Sequence, residues 1–61
     1  MLIKITDYNT VKIDRIDHKT STVIFRWIEQ GIASRTHRAR IRQDSNGNKY
    51  FNSYKLKIAM P

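Results

Sequence analysis

The dipeptide Asn46-Gly47 is the feature that most restricts how this chain can fold. Asn-Gly suits the two left-handed positions of a type I′ turn, and that turn joins neighbouring antiparallel strands. The segments on either side, residues 32–42 and 49–59, both alternate between polar and apolar residues and are rich in β-formers. We therefore predict a β-hairpin with Asn46 and Gly47 as its two-residue loop.

This loop length predicts which side chains share a face, because register and side-chain alternation are linked. It pairs Arg42 with Phe51 and Arg40 with Ser53. Beyond an Asp44–Lys49 pair next to the loop, this face carries five cations with no acid among them, and we predict it as the binding surface. Its members are Thr36, Arg38, Arg40, Arg42, Phe51, Ser53, Lys55 and Lys57. The opposite face is mainly apolar and is predicted to be the core side; it includes Ala39, Ile41, Tyr54, Leu56 and Ile58.

The first half of the chain also reads as strands. β-branched and aromatic residues are frequent, and no apolar pattern follows helical spacing. We predict strands at residues 2–6, 10–16 and 21–28, with the third apolar on both faces and therefore central. Together with the hairpin, this predicts a single all-β domain over residues 1–61.

The loop at Glu29-Gln30-Gly31 decides where two aromatic side chains lie. A three-residue loop with Gly31 in the left-handed position places Phe25 and Trp27 in the core. A two-residue loop at Gln30-Gly31 would instead move both rings to the basic face as a stacking platform. We favour the longer loop and the core position.

Charge limits the choice of partner. Twelve Lys and Arg against five Asp and Glu give a net charge of +7. Residues 1–30 carry five cations and four anions, whereas residues 31–61 carry seven cations and one anion. Such an excess favours nucleic acid or another polyanion, bound by the second half of the chain.

Several kinds of chemistry find no support in the sequence. There is no cysteine, which excludes disulfides and thiolate metal sites and fits a reducing, cytoplasmic compartment. His18 and His37 lack companion ligands at metal-site spacing, so no metal or other cofactor is expected. Two glycines cannot build a phosphate loop, and no catalytic grouping or deep substrate pocket is indicated. No apolar run exceeds three residues, so no membrane segment is expected.

Two functions fit these observations. The first is a non-catalytic module that binds DNA or RNA through its basic sheet face. The second is a small interaction or inhibitor protein, of the kind found in phages and mobile elements, whose basic face docks on an acidic protein. A third interpretation assigns no partner, since cations on edge strands also keep a hairpin soluble.

The stretch from Arg38 to Phe51, followed by Ser53-Tyr54-Lys55-Leu56, resembles part of the AP2-like, arm-type DNA-binding domains of tyrosine recombinases. The resemblance covers about a third of the chain. It implies a three-stranded sheet lying in the DNA major groove. It also implies groove and phosphate contacts for Arg38, Arg40, Arg42, Lys55 and Lys57.

The expected architecture is a small antiparallel sheet of four or five strands, curled into an open SH3-like or OB-like barrel. One thin sheet cannot shield its own apolar face. A flatter sheet that forms a homodimer is therefore the alternative.

Overall fold

The computed structural model describes residues 1–61, and every regular element in it is a strand. None of its elements is a helix long and apolar enough to cross a membrane. The strands are β1 (Leu2–Lys4), β2 (Asn9–Asp17), β3 (Thr22–Glu29), β4 (Ile32–Ala33), β5 (His37–Arg40), β6 (Arg42–Gln43), β7 (Lys49–Ser53) and β8 (Leu56–Ala59). The predicted small all-β, antiparallel fold is confirmed.

Strand β3 is the centre of a five-stranded sheet, as its apolar composition predicts. β2 pairs with one edge of β3 and carries β1 on its far side. The other edge of β3 is shared by β4 and β5, which meet its two ends. Val23, Ile24 and Phe25 are consequently all buried.

A β-bulge in β2 reverses its side-chain alternation. Ile13 pairs with Phe25 and Arg15 pairs with Ile24, so Asp14 is an extra residue on this strand. An extra residue moves every later side chain to the opposite face. Ile16 therefore packs against the core, and Arg15 points to solvent.

The three-stranded sheet contains β6, β7 and β8 in that order. A tight turn at Tyr54-Lys55 folds β8 back along β7, with both residues in the left-handed region (φ 50° and 63°). The single strand predicted over residues 49–59 is therefore wrong. The sequence hides this turn because neither residue is the Gly, Asn or Asp that such turns usually contain.

The two sheets enclose one small core. It consists of Val11, Ile13, Val23, Phe25, Phe51 and Ile58. The rings of Phe25 and Phe51 lie 4.8 Å apart, so the core joins the central strand of one sheet to the middle strand of the other.

The Asn46-Gly47 hairpin forms, but its loop is one residue longer than predicted. The backbone N–H of Asp44 donates to the carbonyl oxygen of Asn48 at 3.0 Å, which leaves residues 45–47 as the loop. Gly47 alone is left-handed, with φ 85°. The Asp44 carboxylate favours this form by accepting the N–H groups of Asn46 and Asn48, both at 2.9 Å.

This extra loop residue moves the register by one, and Arg42 pairs with Tyr50 instead of Phe51. A one-residue shift exchanges the two faces of a strand. Phe51 is therefore fully buried, and its predicted place on the basic face is wrong.

The loop after β3 is one residue shorter than predicted. Gln30 and Gly31 form a two-residue loop, both left-handed, and Glu29 pairs with Ile32. Phe25 is nevertheless buried, as predicted. Between β4 and β5 the chain has one residue more than continuous pairing with β3 would need. This extra residue shifts the register of β5 by one, so its side chains lie on the faces that were predicted.

Candidate nucleic-acid interface

The outward surface of the five-stranded sheet presents three exposed arginines, Arg15, Arg38 and Arg40, which we call the arginine face. Ile24 pairs with Arg15 on one side and with Arg38 on the other. Neighbouring strands are about 4.8 Å apart, so these two arginines are separated by roughly 10 Å at their Cα atoms. Arg40 follows Arg38 on the same face at roughly 7 Å.

Ile24 lies between two of these arginines on the outward face of the sheet. It is only 8% exposed although it lies outside the core cluster and faces outward. The flanking arginines are the side chains placed to cover it, since paired residues share a face. Aliphatic stems that cover an apolar residue keep their guanidinium groups at the surface.

The arginine face contains one neutralised cation beside the free ones. Arg26 donates to both carboxylate oxygens of Asp14, at 2.9 and 3.0 Å. This hydrogen-bonded pair lowers the pKa of Asp14 and raises the pKa of Arg26. Three of the twelve cations form salt bridges in the structure, and Arg15, Arg38 and Arg40 are not among them.

A second acid of this sheet, Asp17, is hydrogen-bonded to its own loop. The Asp17 carboxylate accepts the backbone N–H of Lys19 at 3.0 Å. This bond and a second one from the N–H of Thr20, with the charge of Arg15 in addition, lower the pKa of Asp17. Arg15, Arg38 and Arg40 thus form no salt bridge with a carboxylate.

The predicted basic sheet face does not form as one surface. Arg38 and Arg40 pair with β3, whereas Arg42 and Lys57 belong to the three-stranded sheet. Lys55 lies in the β7–β8 turn. The cations separate because the chain leaves the edge of β3 after Arg40 and enters a second sheet.

Lys57 already has two partners within the protein. Its ammonium lies 3.9 Å from the Asp44 carboxylate and 4.4 Å from the centre of the Tyr50 ring. Hydrogen bonds from the backbone of Asn48 and Asn46, with the Lys57 charge in addition, lower the pKa of Asp44.

The other predicted site residues are placed as follows. Ser53 is half-buried, and its hydroxyl accepts the indole N–H of Trp27 at 2.9 Å, so it faces the core side. Thr36 is exposed in the irregular segment between β4 and β5, where it has no strand partner.

Sequence reasoning missed Arg15. Its signal is the spacing of Ile13 and Ile16, which are three residues apart where an unbroken strand would place core residues two apart. That spacing is what the bulge at Asp14 produces, and it turns Arg15 outward.

A second surface, the aromatic groove, lies on another side of the molecule. It is open and has a volume of about 610 Å³. Its lining residues are Asn9, Trp27, Glu29, Gln30, Ile32, Ala33, Ser34, Tyr54 and Leu56. Tyr54 is 72% exposed and Ile32 75% exposed, so the predicted core position of Tyr54 is wrong.

The groove has an ordered aromatic wall. The ring centres of Trp27 and Tyr54 are 5.8 Å apart, and Tyr54 also meets the edge of His37 at 6.0 Å. His37 in turn stacks on Phe25. No group of three or more His, Asp or Glu side chains is placed to hold a metal ion.

Comparison with known proteins adds no relative. No protein-family profile, curated protein or solved structure matches this chain. The candidate function therefore depends on the geometry and charge of the two surfaces described above.

Proposed function

We propose that this chain binds nucleic acid through the arginine face, without catalysing a reaction. The observation that carries the proposal is the set of three exposed arginines, Arg15, Arg38 and Arg40, which share one sheet surface and form no salt bridge. A guanidinium group donates two parallel hydrogen bonds to a phosphate, and arginine is the preferred residue for this contact.

The distribution of charge supports the same partner. A surface that serves only solubility mixes both signs, because unbalanced cations repel one another. In this protein three of the acids already have other hydrogen-bond partners: Asp14 accepts from Arg26, Asp17 from the backbone of its own loop, and Asp44 from the backbone of the hairpin loop. The net charge of +7 also speeds the approach of a polyanion.

Contacts of this kind position a phosphate backbone and carry little base specificity. Each engaged phosphate releases counterions, so affinity falls as salt rises. Three contacts contribute a slope of about −2 to −3 in a plot of log affinity against log salt concentration. The proposed module therefore binds nucleic acid with marked salt dependence and limited sequence preference.

The experiment compares two variants with equal charge. The first changes Arg15, Arg38 and Arg40 to Gln, which removes each charge and keeps most of each aliphatic stem. The control changes Arg42, Lys49 and Lys57 to Gln, all in or beside the three-stranded sheet. Both lower the net charge from +7 to about +4. Fluorescence anisotropy with labelled duplex DNA, single-stranded DNA and RNA gives the affinity at several salt concentrations.

We expect the arginine-face variant to lose at least tenfold in affinity and to show a shallower salt slope, with a smaller effect of the control. Equal losses in both variants would show that total charge, not this face, drives binding. No binding of the wild-type protein to any of the three ligands at low salt would overturn the proposal and favour an acidic protein partner.

A further inference from the structure

The β7–β8 turn holds an exposed aromatic ring in an unfavourable backbone conformation. Tyr54 and Lys55 have φ values of 50° and 63°, and neither is glycine. Bulky residues seldom occupy this region, because the Cβ atom approaches the backbone carbonyl. Backbone strain of this kind is concentrated at binding sites. Here it projects Tyr54 over the aromatic groove with 72% of its surface accessible.

Three polar side chains that line the groove are free to bind a ligand, whereas the Ser34 hydroxyl is already hydrogen-bonded. The side chains of Asn9, Glu29 and Gln30 make no hydrogen bond or ion pair within the protein. Amides of Asn and Gln pair with adenine-type edges, and a carboxylate accepts the amino group of cytosine. These groups surround an apolar wall, which matches the two surfaces of a nucleobase.

Two cations neighbour the groove in sequence without lining it. No Lys or Arg lines the groove, but Arg35 follows the lining residue Ser34 and Lys55 follows Tyr54. Both cations are exposed and form no salt bridge. A ligand with a flat apolar part and anionic groups at its ends fits this distribution of charge.

We propose that the aromatic groove binds an unstacked nucleobase of a single-stranded nucleic acid, with its ring on the exposed face of Tyr54. The proposal rests on the nucleic-acid function described above and names its strand form. Because the rings of Trp27 and Tyr54 already contact each other, the base does not lie between them. It stacks on the outer face of Tyr54, and Arg35 and Lys55 contact the adjoining phosphates.

The fluorescence of Trp27 reports on this site, because Trp27 is the only tryptophan in the chain and its ring contacts Tyr54. The probes are single-stranded DNA and RNA oligomers, abasic DNA of equal length, and duplex DNA. Tyr54→Asn removes the ring and keeps a residue that tolerates the left-handed region. Tyr54→Phe keeps the ring and serves as the matched control.

We expect single-stranded oligomers to quench Trp27 fluorescence and abasic DNA to leave it nearly unchanged. Tyr54→Asn should weaken single-strand binding by roughly 5- to 100-fold, the range of one base–aromatic stack. Tyr54→Phe should bind as the wild type, and duplex binding should stay within about twofold in both variants, because the duplex contacts the arginine face. The comparison of single-stranded DNA with single-stranded RNA shows which of the two nucleic acids supplies the base.

Equal quenching by abasic DNA, or wild-type single-strand affinity in Tyr54→Asn, would overturn the base site while leaving the arginine face intact. If the wild-type protein bound none of the four probes, both proposals would be overturned. Analytical ultracentrifugation tests a second copy as the occupant: a dimer that Tyr54→Asn abolishes would show that self-association fills the groove.

Discussion

Trp27 donates its indole N–H to the hydroxyl oxygen of Ser53 at 2.9 Å, across 26 positions of sequence. Trp27 lies on the central strand of the five-stranded sheet and Ser53 at the end of β7. This bond joins the two sheets outside the apolar core, and it fixes the indole that forms the wall of the aromatic groove.

Ser53→Ala should lower the free energy of unfolding by about 1–2 kcal/mol, because it leaves a half-buried indole N–H without an acceptor. Urea unfolding followed by Trp27 fluorescence measures the change. Ser45→Ala is the control, since this serine lies in the exposed hairpin loop, and its effect should stay within about 0.5 kcal/mol. A Ser53→Ala protein as stable as the wild type would show that the bond contributes nothing.

Phe51→Ala should unfold the domain. Truncation of a buried phenylalanine costs about 3–5 kcal/mol, and a core in a chain this short supplies a similar amount. Phe51→Leu, which fills most of the space, should fold and should bind nucleic acid with wild-type affinity. Circular dichroism and anisotropy test both variants. A folded Phe51→Ala protein with weakened binding would place this ring on the ligand surface instead.

Lys55→Gly should raise the free energy of unfolding by roughly 0.5–1 kcal/mol. Release of a left-handed residue gains about 1–2 kcal/mol, and the greater freedom of glycine in the unfolded chain offsets about half of it. Lys19→Gly is the control because Lys19 is not left-handed, and it should only destabilise. Thermal unfolding of both variants gives the comparison, and equal shifts would argue against strain in the β7–β8 turn.

Stability should fall as pH decreases through the acid range. Hydrogen bonds lower the pKa values of Asp14, Asp17 and Asp44 below the ordinary value of 3.8. Their contribution is complete well above pH 3.8, where the carboxylates are charged in both the folded and the unfolded state. It is lost as pH falls from about 4 through the lower pKa values of the folded protein.

Asp44→Asn tests one of these groups. The amide oxygen can still accept the loop N–H groups, but it cannot titrate. The stability advantage of the wild type over this variant should therefore shrink between pH 4 and pH 2, as measured by the thermal midpoint at fixed salt. Asp7→Asn, which removes only an exposed ion pair with Lys4, is the control. Parallel profiles for the wild type and Asp44→Asn would contradict the expectation.

The first three strands were predictable because their pattern is local. Val11 and Ile13, and then Val23 and Phe25, alternate with a period of two, and all four are buried. Arg38 and Arg40 were placed outward for the same reason. The Ile13–Ile16 spacing is the local signal of the bulge at Asp14.

Loop lengths were not predictable from local residues. Gly31 and Gly47 are compatible with loops of two or three residues, and each loop took the length opposite to the one expected. The difference in free energy between a two-residue and a three-residue loop is small compared with the free energy of burying Phe51. Packing in the core therefore selects the register, and the loop follows.

The sequence by itself determined an all-β chain, a central apolar strand, a cationic excess and two outward arginines, because alternation and net charge are properties of neighbouring residues. The tertiary structure alone decided which cations share a surface, how Phe51 reaches the core and how Tyr54 and Trp27 meet in a groove. These features depend on contacts between two sheets, and the energy of such contacts belongs to residues far apart in the chain.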